Sequence, residues 1–334
     1  MIKSFVFGVL FCLLSGCSVA EEKQHVVYDG FDGPGKGKHV VLISGDEEYR
    51  SEESMPQLGK ILAKHHGFKC TVLFSIDKKT GDINPLVSDN IPGLEALQTA
   101  DLVIINLRFR KLPDDQMKYI DEYVNSGKPM MGMRTATHAF NGIKGKYAKY
   151  NFRAKAWSGG FGRQVLGETW INHHGHHNKE STRGVIEASA KESSIVKGCE
   201  DIWGKTDVYG IRKIIGDNVN VLVRGQVLKG MKPEDTAVDG KKNSPMMPVA
   251  WTKTFTGSAG KAARVFTTTM GSSQDVESEG LRRLIVNGAY WCLGLEAKIV
   301  SKANVDIVGV YKATHYKHGK HVQGRKPSFH EMKK

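Results

Sequence analysis

The sequence predicts an α/β protein: a doubly wound, mostly parallel sheet with helices on both faces and an added mixed β region in the C-terminal half. Three observations lead there. Apolar runs of strand length recur through the first half with almost no polar alternation, as strands covered on both faces require. Segments of helical periodicity with recognisable ends lie between them. From Arg183 onward, strand-like runs follow one another without long helices between them.

The elements follow in order. His39-Val40-Val41-Leu42-Ile43-Ser44 is a buried-strand run. The next segment spaces Ser54 and Gln57 as a capping box, sets Leu58, Ile61 and Leu62 on one face, and ends at Gly67 as a C-cap. Lys69 to Phe74 is the second strand, and a loop with a short helical segment around Leu94 and Leu97 leads to the third, Asp101 to Leu107. Pro113 opens a helix with Met117, Ile120 and Val124 on one face and Gly127 as its stop; Pro129 to Met133 is the fourth strand. Four further strands are predicted at Arg183–Glu187, Val219–Val223, Met247–Trp251 and Arg264–Thr269. A last amphipathic helix starts at Ser278, carries Leu281, Leu284, Ile285, Ala289 and Cys292, and stops before Gly294.

No repeat or composition break divides this region, so residues 38–297 read as one domain. Residues 21–37, rich in Gly, Lys and Asp, read as a linker, and 298–334 as a basic, solvated C-terminal extension. At the N-terminus the apolar run Phe5 to Leu14 is too short to span a bilayer but has the length of a secretory signal core, so residues 1–20 read as a signal peptide. Leu14-Ser15-Gly16-Cys17 resembles a bacterial lipobox, in which Cys17 would carry the lipid; Ser18-Val19-Ala20 offers an ordinary cleavage site instead. Export is the expectation, to a bacterial periplasm or to a membrane through lipidated Cys17.

The net charge of +13 is diffuse, and in an exported chain it argues against a nucleic-acid partner. Cys70, Cys199 and Cys292 are an odd set without a close pair, which excludes a disulfide framework and a cysteine zinc site. Cys70 and Cys292 fall on apolar positions and read as small core residues.

Chemistry is expected beyond the C-terminal ends of the parallel strands. Three polar loops fall there: Gly45-Asp46-Glu47-Glu48-Tyr49-Arg50, Arg108-Phe109-Arg110, and Arg134-Thr135-Ala136-Thr137-His138. Glu52 and Glu53 are explained by the start of the helix, and the two arginines 108 and 110 by pairing with nearby carboxylates. Arg134 directly follows a strand and would point into the rim. His138 is either a general acid/base or a histidine satisfied by hydrogen bonds. A fourth candidate is Trp170-Ile171-Asn172-His173-His174-Gly175-His176-His177. On an extended segment His174 and His176 share a side and could form half a site for Zn²⁺ or another divalent metal, completed by His138, Glu48 or Asp207. Acid/base contact with a polar substrate and a structural role stand open beside ligation. Trp170 suits either stacking on a sugar face or plugging a core.

Gly45-Asp46-Glu47-Glu48-Tyr49-Arg50, the Leu112 to Gln116 run, the Thr-x-Thr-His ending, Thr206-Asp207-Val208-Tyr209, Pro248-Val249-Ala250-Trp251 and Arg264 to Gly271 together resemble the trehalose-utilisation (ThuA-like) domain family over about Lys38 to Glu296. The resemblance implies a flavodoxin-like sheet similar to class I glutamine amidotransferases, a link to disaccharide and keto-sugar metabolism, and metal binding in some members. Where the amidotransferases carry a Gly-x-Cys-x-Gly elbow, this chain has Gly132-Met133-Arg134-Thr135-Ala136, which excludes glutamine hydrolysis. It also departs from the Gly-x-His start of typical members, with Arg134 in that place and histidine displaced to His138.

The expectation is therefore a sugar-processing enzyme for a keto-disaccharide or glycoside. His138, His174, Glu48 and Arg134 would be catalytic, and Asp46, Tyr49, Arg108, Trp170, Asp207 and Tyr209 would contact a small-molecule carbohydrate. His174 and His176 would ligate any metal. A non-catalytic carbohydrate-binding or surface-scaffold protein is the alternative.

Overall fold

The computed structural model describes residues 23–332, so the signal-like run and Cys17 lie outside the described residues. The strands are β1 (His25–Tyr28), β2 (His39–Gly45), β3 (Lys69–Phe74), β4 (Leu102–Leu107), β5 (Met130–Met133), β6 (Thr182–Ile186), β7 (Trp203–Gly204), β8 (Asp217–Val227), β9 (Met247–Thr256) and β10 (Ala262–Thr268); the α-helices are α1 (Ser51–His66), α2 (Asp114–Asn125) and α3 (Glu279–Cys292). They build one sheet in the order β1-β3-β2-β4-β5-β10-β9-β8-β6-β7. The block β3-β2-β4-β5-β10 is parallel. β1 at one edge and β9, β8, β6 and β7 at the other are antiparallel.

The continuous apolar runs have a simple cause. Val40 and Leu42 of β2 enter the core beneath α1 and α3, while Val41 and Ile43 enter the one beneath α2. Leu102 and Ile104 of β4 divide from Val103 and Ile105 in the same way. Alternate residues thus fill two different cores, and neither side can be polar. Cys70, Cys199 and Cys292 are all buried, unpaired thiols. Ser278 caps α3, its hydroxyl accepting the Leu281 N–H at 3.3 Å. Among the described residues no helix is long and apolar enough to cross a membrane.

Three expectations are corrected. The linker is part of the fold: His25–Tyr28 pairs with β3, and the glycines behind it lie against the end of α1, where Phe31 N–H donates to Ala63 O and Gly35 N–H to His66 O. A Cβ at Gly30 would sit 2.1 Å from Gly67 O, so glycine is there for close approach rather than flexibility. Helix α1 starts at Ser51, a turn before the predicted box. The Ser51 hydroxyl accepts the Asp46 N–H at 2.9 Å, whereas the Ser54 hydroxyl is buried without a partner and so caps nothing. Finally, the C-terminal extension is packed rather than solvated. Val305, Tyr316 and His330 are buried, and Tyr28 donates its hydroxyl proton to His330 O at 2.8 Å.

Candidate functional site

From β2 the chain passes to β3 on one side, and β4 lies on the other, so strand order reverses between β2 and β4. A crevice is expected at their C-terminal ends, and the Asp46–Arg50 loop, Arg108 and the Arg134 turn come together there.

Asp46 is fully buried and staples two of these loops together. One carboxylate oxygen accepts the N–H groups of Glu48 (2.8 Å) and Tyr49 (3.1 Å), and the other accepts the Thr135 hydroxyl at 2.6 Å. Although expected at the substrate, it faces the scaffold. Arg108 and Arg110 both pair with Glu47, the latter at 2.9 Å, and Arg108 Nε also lies 3.4 Å from Glu48.

Arg134 follows β5 at φ 42°, in the left-handed region that a side-chain-bearing residue enters at a cost. The elbow is therefore present with a guanidinium on it. Its Nη1 donates to the carbonyls of Asp207 and Thr269, both at 2.8 Å; its Nη2 donates to the Tyr49 hydroxyl at 2.9 Å and to Asp207 Oδ1 at 3.0 Å. The rings of Tyr49 and Tyr209 close over the guanidinium at 4.3 and 3.8 Å.

The histidine segment is not extended, and this changes which residues meet. His173 forms a bridge to Tyr209, the N–H groups of His174 and Gly175 both donate to Val208 O, and those of Lys179 and Glu180 return to His176 O as a helical turn. The turn carries His177 back to His173, their rings 4.9 Å apart. His174 points elsewhere, its Nε2 2.8 Å from Lys242 O, and His176 is exposed beside Glu180. The expected pair of His174 and His176 is not formed. His173 Nδ1 lies 2.7 Å from Asp207 Oδ2, and His177 Nδ1 lies 3.2 Å from Asp207 Oδ1. The ligand atoms of His173, His177 and Asp207 fall within 4.8 Å of one another, so these three could hold a metal ion.

Burial opposes the charge on Asp207, but Arg134 and the hydrogen bonds of His173 and His177 outweigh it and hold the carboxylate far below its usual range. Glu48 goes the other way: burial, then the neighbouring Asp46, raise it despite Arg108 and Arg134. Its Oε1 faces Nε2 of His177 at 3.3 Å. His138 sits among Phe109, Phe152, Trp170 and Tyr209, with the Thr137 hydroxyl 3.2 Å from Nδ1. Burial, reinforced by Arg108 and Arg134, pushes it well below the ordinary histidine range, so it stays neutral. Trp170 packs on His138 and His173 and leaves its buried Nε1 without a partner.

Thus Glu48, Tyr49, Arg134, Asp207 and Tyr209 are brought together, with Arg108, His138 and Trp170 at the border. Sequence reasoning missed His173 and His177 as a pair; their i,i+4 spacing was a helical-turn signal that the extended reading discarded. It also missed Tyr316 and His318, whose arrival no local signal announces.

The fold and the crevice define an open α/β protein whose site lies at the reversal of strand order. The family model for trehalose utilisation, ThuA, matches residues 39–292, and the chain belongs to that family. A ThuA-like protein from Parabacteroides merdae superposes with a TM-score of 0.52 at 15% identity, over 85% of this chain and 99% of its own. One from Bacteroides uniformis gives 0.47 at 12%, over 79% and 95%, and PurLQS from Thermotoga maritima 0.39 at 12%, over 76% and 99%. No curated protein matches the sequence.

Proposed function

We propose that the chain is an exported sugar-processing enzyme that takes a keto-disaccharide or glycoside into this crevice and acts on it by acid/base chemistry. One observation carries the reading: His177 stands between an ionised carboxylate, Asp207, and a carboxyl held toward its protonated form, Glu48. Two acids pushed apart in this way can take opposite roles at one pH. Asp207 fixes the His177 ring through Nδ1. That leaves Nε2 toward Glu48 Oε1, where a proton is exchanged with the sugar. Arg134 keeps Asp207 charged but is walled off from the crevice by the two tyrosines, so it acts on the site rather than on the substrate.

Two imidazoles and a carboxylate suit Zn²⁺ or another first-row divalent ion, and the buried Glu48 Oε1, without a hydrogen bond of its own, is placed to take the His177 Nε2–H behind such a ligand. His173, His177 and Asp207 would hold it. When bound, such an ion supplies Lewis-acid polarisation of a sugar carbonyl or hydroxyl.

Turnover of oxidised disaccharides and glycosides by the purified protein tests this. Glu48→Gln and His177→Ala should each lower kcat/KM by about 10²–10⁴-fold with circular dichroism unchanged, and His174→Ala should change it little. Metal content by elemental analysis should fall in His173→Ala and His177→Ala. Sugar binding without turnover in any substrate would make this a carbohydrate-binding protein instead.

A further inference from the structure

The C-terminal extension lies beyond residues 39–292, the region shared with the family, yet it crosses the crevice. Thr314 donates both its N–H and its hydroxyl to the two oxygens of Glu53, each at 2.8 Å. Lys317 N–H donates to Glu48 O at 3.0 Å, Gly319 N–H to Glu47 O at 3.2 Å, and Arg50 Nη2 to Lys317 O at 3.1 Å. Between these clamps Tyr316 is wholly buried, its ring 5.1 Å from that of Tyr49 and 5.3 Å from that of His177, and its hydroxyl donates to Lys205 O at 3.1 Å. The segment is thus fixed on the very loop that carries Glu48.

What it delivers there is one imidazole. His318 Nε2 lies 3.1 Å from Glu48 Oε1. That oxygen is buried and has no aligned hydrogen bond; the two groups facing it are His318 and His177. The His318 side chain is itself 61% exposed, so its position is not forced by packing of its own.

We infer that the C-terminal extension is a working wall of the site and that His318 is a positioning residue for Glu48, holding its side chain across from His177. This rests on the acid/base reading above. It adds that the family's shared domain, without residues 311–319, would leave Glu48 Oε1 facing His177 alone, its other oxygen still beside Arg108 Nε at 3.4 Å.

The test uses the full chain, with His318→Ala and His318→Gln, the latter keeping a donor at similar reach. Glu48 is labelled with a water-soluble carbodiimide and glycine ethyl ester and followed by peptide mass spectrometry, with the exposed Asp32 as internal reference. His318→Ala should label Glu48 at least fivefold faster with Asp32 unchanged, and lower kcat at least tenfold with KM moving less than twofold. His318→Gln should restore both. Unchanged labelling in the Ala variant overturns the inference. So does faster labelling with wild-type kcat, which would make His318 only a cover, and so does failure of Gln to rescue. A wild-type protein that turns over no sugar removes the functional reading instead, and the labelling then decides alone whether His318 holds Glu48.

Discussion

Arg134 shows how one residue can set a whole site. It is completely enclosed, its two Nη groups donate to two carbonyls, a phenol and a carboxylate, and its backbone is held at a strained φ by those partners. Lysine, a point charge without the planar fork, could not reproduce these bonds. Arg134→Met leaves Asp207 buried without its counter-charge and should cost roughly 3–5 kcal/mol, read as a drop in the denaturant midpoint at unchanged m-value. The position of Arg134 was legible in the sequence because it directly follows an apolar strand. The histidines were legible as a cluster but not as a geometry. Period-two reasoning selected His174 and His176, and the hydrogen bonds of Lys179 and Glu180 to His176 O turn the chain so that His173 and His177 meet instead.

At the scale of elements, helix α1 carries its own pH sensor. Glu52, in the first turn, is buried, with Arg50 Nη1 3.4 Å from Oε1 and its other oxygen unpartnered. Burial raises its pKa to about 8, against the pull of Arg50 and with small pushes from Glu53 and Asp46. Below the unfolded value near 4.5 the group is protonated in both states and its contribution to stability is full. As pH rises toward about 8 the unfolded chain releases the proton first, so this contribution is lost, with a ceiling of about 5 kcal/mol. Glu52→Gln should flatten the fall in melting temperature between pH 4.5 and 8 relative to wild type; parallel curves would refute this. The helix itself was legible from Leu58, Ile61, Leu62 and Gly67. Its first turn was not, because Ser51 is organised by Ser44 and Asp46, residues of the preceding strand and loop. Strands β2 and β4 were easier to read, since burial on both faces leaves no room for polar residues.

Across the whole molecule, the parallel centre was readable and the ends were not. Short apolar stretches such as His25–Tyr28 and the scattered buried residues of the extension carry no periodicity, and only the sheet edge and the crevice give them a place. The fold joins parts of the chain that are far apart: 267 residues separate Arg50 from Lys317 at the candidate site, and 302 separate Tyr28 from His330 at the sheet edge. Closing such loops is entropically expensive and slow compared with local contacts. This sets a timetable. On refolding from denaturant, helical signal should return first and protection of Glu48 from carbodiimide last, so the molecule passes through an interval in which its architecture is complete and its chemistry is not. Simultaneous recovery of the two would contradict that order. A protein arranged in this way completes its candidate site late in folding, when the C-terminal extension reaches the loop that carries Glu48.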